Sequence, residues 1–134
     1  MRNKKLLGGA AALLSASLLF SACGSRTEPA ATGAANVKIA KIGVIAPLSG
    51  DLSALGLGIQ NSVDLAIKQA NASNAIPGWK LKLAAEDDQA TKDVGINAAT
   101  KLAADKDVVG VVGTLNSGVA DGVQPVLRDA KITQ

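Results

Sequence analysis

An α/β fold, a parallel doubly wound half-sheet in βαβαβα order, is predicted by three features of this 134-residue sequence. The first is Val108-Val109-Gly110-Val111-Val112-Gly113, a β-branched apolar run bounded by glycine. It is too short for a helix and reads as a strand buried on both faces. The second is the alternation of such runs with segments whose apolar residues recur at three- and four-residue steps, the pattern of β–α–β crossovers. The third is the polar stretch Thr114-Leu115-Asn116-Ser117-Gly118 directly behind the run, which reads as a loop and then a helix start capped by Ser117.

Taken in order, residues 37–46 (VKIAKIGVIA) begin by alternating and become continuously apolar, a first strand. Pro47-Leu48-Ser49-Gly50-Asp51 is turn-rich. A helix is expected over residues 53–71, with Ile59, Val63, Ala66, Ile67 and Ala70 on one face. Gly56 and Gly58 are assigned to its ragged start, because glycine weakens a helix interior by about 1 kcal/mol relative to alanine. Residues 79–86 alternate strictly at first and read as a second strand near the sheet edge, with Trp79 covering the sheet. Asp87-Asp88-Gln89 follows as a solvated loop whose charge favours the next helix start. That helix is expected over residues 91–104, directing Val94, Ile96, Ala98 and Leu102 inward. A third helix follows Ser117, kinked or delayed by Pro125, and residues 131–134 open another strand.

The amino-terminal residues belong to export rather than to the fold. Arg2, Lys4 and Lys5 make a basic start and residues 6–20 an apolar stretch too short to span a bilayer. Leu19-Phe20-Ser21-Ala22-Cys23 resembles the lipobox of bacterial lipoproteins, in which the cysteine becomes the lipidated amino terminus. Residues 1–22 are therefore expected to be a lipoprotein signal peptide, and residues 23–36, rich in Ala, Gly, Ser, Thr and Pro, a lipidated Cys23 with a flexible tether. Without the three leader cations, the 14 Lys and Arg fall to 11, matching the 11 Asp and Glu. That balance, with Phe20 and Trp79 the only aromatic residues, leaves no nucleic-acid footprint.

The residue types exclude several chemistries. With no histidine there is no Ser–His pair and no imidazole metal ligand, and the single cysteine forms no intramolecular disulfide. No phosphate-cradling Gly-x-x-x-x-Gly-Lys-Ser/Thr loop is present, and Gly56-Leu57-Gly58 lacks the third glycine of a dinucleotide fingerprint. No metal and no cofactor is expected. Asn71-Ala72-Ser73 fits a glycosylation pattern that carries no information in a bacterial lipoprotein. What remains is the Ser117 corner: a hydroxyl beside free helix N–H groups, at the mouth of a parallel sheet, suits a ligand carboxylate.

Lys41-Ile42-Gly43-Val44-Ile45-Ala46-Pro47-Leu48-Ser49-Gly50, the Asp87-Asp88-Gln89 turn and Val111 to Ser117 resemble the leucine/isoleucine/valine substrate-binding proteins of bacterial ABC transporters. These are type I periplasmic binding proteins, two α/β lobes that close on a ligand like a jaw. The resemblance implies that residues 37–134 are a truncated N-terminal lobe. It implies that Ser117, with the neighbouring Asn116 and Gly118, receives the α-carboxylate of a small amino acid, and that Leu55 flanks the ligand side chain, where the family often has an aromatic residue. The family's hinge, second lobe and α-ammonium contacts come after the position of Gln134. The implied partners are an amino-acid ligand, an ABC permease and the membrane that holds the lipid anchor. The implied place is the outer face of the bacterial cell membrane. A sensor lobe feeding a receptor is the alternative within the same fold, and an exported α/β hydrolase the alternative of a different class, disfavoured because no Gly-x-Ser-x-Gly elbow is present.

Overall fold

The computed structural model describes residues 36–134. The leader, Cys23 and all of the tether except Asn36 lie outside the described residues. Strands and helices alternate: β1 (Lys38–Ala46), α1 (Ser53–Ala72), β2 (Trp79–Asp87), α2 (Lys92–Ala104), β3 (Val108–Val112) and α3 (Ser117–Asp129). The strands form one sheet in the order β2-β1-β3, and both pairings are parallel. The predicted fold class is the one found. β1 takes the centre because its second half is apolar without interruption, and Val44, Ile45 and Ala46 have no exposed surface.

Helices cover the sheet from both sides. α2 and α3 pack together on one face, closing a core of Ile45, Leu102, Val111, Val119, Val123 and Leu127. Burying side chains of this size stabilises the fold by about 1.5–3 kcal/mol each. α1 lies on the other face against β1 and β2, burying Ile67. Side chains alternate along a strand, so Ile42 and Val112 point toward α1 whereas Ile45 and Val111 point toward α2 and α3.

β2 is an edge strand, as its alternation predicted, and its edge is managed. The Asn71 side chain accepts from the Leu81 N–H at 2.9 Å and donates to the Leu81 carbonyl at 2.9 Å. Those peptide groups would otherwise be open to another chain. Asn71, a glycosylation match in the sequence, is thus an edge cap. The last residues begin another pairing, with Thr133 bridging Gly110 in parallel.

Several expectations are corrected. β3 is covered on one face only, leaving Val109 55% and Val112 42% exposed. Val109 is the extra residue where the register slips between Lys41 and Ile42. Val112 faces the α1 side, where α1 reaches over β1 and β2 but leaves an apolar groove of about 430 Å³. Ala66 borders that groove and stays exposed. Trp79, at the start of β2, is 39% exposed with the Lys38 Nζ 5.3 Å from its ring centre. Pro125 neither delays nor ends α3, which runs through it. The N–H it lacks would have bonded the Asp121 carbonyl, on a turn where both residues are exposed to water.

Gly56 and Gly58 sit inside α1 rather than in a frayed start. Gly56 is buried and a Cβ there would collide with the Pro47 carbonyl, whereas a Cβ on Gly58 meets open space. The pair therefore predicts opposite outcomes for the same substitution. Gly58→Ala should stabilise the protein by up to about 1 kcal/mol through helix propensity. Gly56→Ala should destabilise it by about 1–3 kcal/mol through overpacking. Urea unfolding of both variants checks this, and a gain from Gly56→Ala would show that α1 does not press on the first loop.

Candidate functional site

The chain leaves β1 toward one face of the sheet and β3 toward the other, although the two strands are neighbours. Loops that diverge in this way open a crevice at the carboxyl ends of the strands, the place where open α/β sheets hold ligands. Its walls are the loop after β1 with the first turn of α1, and the loop after β3 with the first turn of α3. Gly113 lets them meet: its φ of +120° suits glycine, and a Cβ there would run into the Ile45 carbonyl of β1.

At the β3 wall, the helix cap is Asn116 and not Ser117. Asn116 has extended φ and ψ of −93° and 126°, and Ser117 is the first helical residue. The Asn116 carbonyl accepts from the N–H groups of Val119 and Ala120, both at 3.0 Å, and from the Thr114 hydroxyl at 3.1 Å. The N–H groups of Ser117 and Gly118 have no backbone acceptor among the described residues, as the opening turn of any helix dictates. Ser117 and Gly118 are both exposed. The Asn116 Oδ1 is buried without a hydrogen-bond partner. One short stretch thus presents two N–H donors and a hydroxyl, with the helix dipole favouring an anion. Leu55 stands across on the first turn of α1, 56% exposed. The structure therefore sets Asn116, Ser117, Gly118 and Leu55 at the ends of adjacent strands.

Among the described residues, the groove of about 430 Å³ beside α1 is lined by none of the four. A concavity of about 720 Å³ lies along the flank of α3 between Gly113, Asp121, Gln124, Arg128 and Gln134, and none of the four lines it.

The Asp87–Asp88 pair is not a solvated loop, and the sequence reading missed its work. Asp87 accepts from the Leu48 N–H at 2.8 Å, the Ser49 hydroxyl at 2.5 Å and the Gln89 N–H at 2.9 Å. It ties the loop after β1 to the end of β2, fixing one wall of the crevice from behind. The signal that could have revealed it is Ser49 in a turn at the same sheet end. Asp88 has no exposed surface; its Oδ1 accepts from the Ala90 N–H at 2.8 Å, while its Oδ2 is unpartnered. Burial opposes ionisation of Asp87, but the hydrogen bonds from Ser49, Gln89 and Leu48 outweigh it and hold the carboxyl below its ordinary value. Burial pushes Asp88 the other way, with the Ala90 N–H opposing and the Asp87 charge adding to the rise. Among the described residues, no three His, Cys, Asp or Glu side chains are grouped to hold a metal.

The signs give a pH test. A carboxyl with a lowered folded value contributes stability above its unfolded value, here 3.8, and loses it as pH falls through the folded value. Asp87→Asn should cost about 1–2 kcal/mol at neutral pH, because three hydrogen bonds lose a charged acceptor. The gap from the parent should close as pH drops below about 4. Thermal melts across pH check it, and a pH-independent gap would refute the assignment.

Comparison with known proteins places this geometry in a family. Residues 40–133 match the family model described as periplasmic binding protein. The Leu/Ile/Val-binding protein BraC3 of Rhizobium johnstonii is 38% identical over 88 residues, 66% of this chain and 24% of that protein. The Leu/Ile/Val-binding protein homolog 3 of Brucella melitensis is 35% identical over the same length and shares. Among solved structures, the branched-chain amino acid transporter substrate-binding protein LivJ of Streptococcus pneumoniae, in complex with isoleucine, superposes with a TM-score of 0.66 at 27% identity. The match covers 71% of this chain and 27% of LivJ. A periplasmic binding protein type 1 from Bordetella pertussis gives 0.64 at 29% identity, over 71% and 26% of the two chains. The chain thus spans about a quarter of the length of the proteins it matches. Sequence match and parallel sheet agree from the first strand to Thr133, and this chain belongs to the periplasmic binding protein family.

Proposed function

We propose that the chain acts in an extracytoplasmic solute-binding lipoprotein of an ABC transporter, capturing a branched-chain or other small amino acid, or a related amide, for delivery to a membrane permease. In this reading residues 1–22 are the signal peptide, Cys23 carries the lipid, residues 24–36 are the tether, and residues 37–134 belong to the N-terminal lobe. The lipid anchor keeps the protein on the outer face of the cell membrane, and no covalent bond of the ligand is made or broken.

The observation that carries the reading is the opening turn of α3 at the crevice. The unbonded N–H groups of Ser117 and Gly118, with the Ser117 hydroxyl, meet the needs of an α-carboxylate. Leu55, exposed on the opposite wall, offers an apolar surface for the ligand side chain. The Leu/Ile/Val-binding names of the relatives and the isoleucine held by LivJ agree with such a ligand.

In this account the crevice is the N-terminal lobe's side of a site that closes from two sides, so the affinity of residues 37–134 alone for a free amino acid is weak. Calorimetry at millimolar concentration should detect leucine but not leucinamide, which lacks the carboxylate. In a version extended to the full length of its relatives, Ser117→Ala should weaken leucine binding by about 1–3 kcal/mol. Equal binding of leucine and its amide would refute the carboxylate reading. Expression in a bacterium fed an alkyne-tagged fatty acid should label the chain, and Cys23→Ser should abolish the label. Labelling that survives the substitution would refute Cys23 as the anchor.

A further inference from the structure

Charges without an ion-pair partner are sorted along the strand direction. Lys41, Lys68, Lys101 and Arg128 each face an acid within 4.0 Å. Among the described residues, Lys38, Lys80, Lys82, Lys92, Lys106 and Lys131 do not, and all but Lys92 lie toward the strand amino termini. Among the described residues, the acids without a cationic partner, Asp51, Asp87, Asp88, Asp93 and Asp121, lie at the other end, around the crevice. The acids that share the lysine end, Asp105, Asp107 and Asp129, are already taken by Lys41 and Arg128.

The same end exposes three apolar residues. Val37 is 55%, Ile76 47% and Trp79 39% exposed. Backbone bonds hold them together: the Lys38 N–H donates to the Gly78 carbonyl at 3.0 Å, and the Trp79 N–H to the Ile76 carbonyl at 3.1 Å. Lys38 is the partner of Trp79 in register and stands over its ring, with Lys80 next along β2. A tryptophan under the side chain of a lysine, at an end that also exposes Val37 and Ile76, matches the boundary between lipid headgroups and acyl chains. Unopposed lysines match an anionic surface.

We propose that this end rests on a bilayer with anionic headgroups, with Val37, Ile76 and Trp79 entering the headgroup region and Lys38, Lys80 and Lys106 facing the lipid phosphates. Val37 is also where the segment following Cys23 joins the sheet. Contact at this end turns the carboxyl ends of the strands, and hence the crevice, away from the membrane and toward the solute.

Trp79 is the only tryptophan of the chain, so its emission reports on this patch alone. The test uses the full chain carrying Cys23→Ser, which makes the result independent of acylation and of the amino-acid reading. Vesicles of phosphatidylcholine with phosphatidylglycerol should shift Trp79 emission to the blue and shield it from acrylamide, whereas phosphatidylcholine alone should not. Lys80→Glu and Lys106→Glu should each weaken partitioning by about fivefold or more, with circular dichroism confirming the fold, and Lys92→Glu should leave it unchanged. Sedimentation with vesicles while Trp79 emission stays put would overturn the proposal, because the apolar amino-terminal segment would then be doing the binding. An equal shift with neutral vesicles, or an equal loss from Lys92→Glu, would overturn it too.

Discussion

Backbone pressed against backbone at the ends of β1 and β3 is the constraint on which the rest depends. Gly113 lies against the Ile45 carbonyl and Gly56 against the Pro47 carbonyl, and neither position has room for a Cβ. With those contacts in place, one loop turns to α1 on one face of the sheet and the other to α3 on the opposite face. The divergence makes the crevice, and α3 brings its unbonded N–H groups to the edge of it. Asp87 adds a charged clamp behind, holding Leu48 and Ser49 of the first loop.

Much of this fold was legible in the sequence because its signals are local. The apolar runs of β1 and β3, the alternation of β2 and the three- and four-residue steps of α1 and α2 placed each element to within a residue or two of its observed bounds. The errors have a common source, which is that tertiary contact decided them. Gly56 reads as a helix weakness until Pro47 is set against it. Val109 and Val112 read as buried until the register slip and the reach of α1 leave one face bare. Pro125 reads as a break until α3 is seen to turn its Asp121 side to water.

The site was legible only in part. Helix-start chemistry pointed to the Asn116, Ser117 and Gly118 corner, but the one-residue shift of the cap from Ser117 to Asn116 depends on backbone angles that composition does not encode. It frees the Ser117 hydroxyl from a capping role, which strengthens its case as a ligand contact. The acids were misread because Asp87 and Asp88 are adjacent yet sit in opposite environments. One is saturated with donors and the other buried with an oxygen unpaired. Only the partners 38 and 39 residues away, Ser49 and Leu48, tell them apart.

The central claim is that the opening turn of α3 receives a carboxylate. A nitrogen–proton correlation spectrum recorded during a leucine titration reads that turn directly. The account predicts that the largest movements fall on the amides of Ser117 and Gly118, with smaller ones at Leu55. Movements gathered instead along the α3 flank at Gln124, Arg128 and Gln134, with Ser117 and Gly118 still, would contradict it.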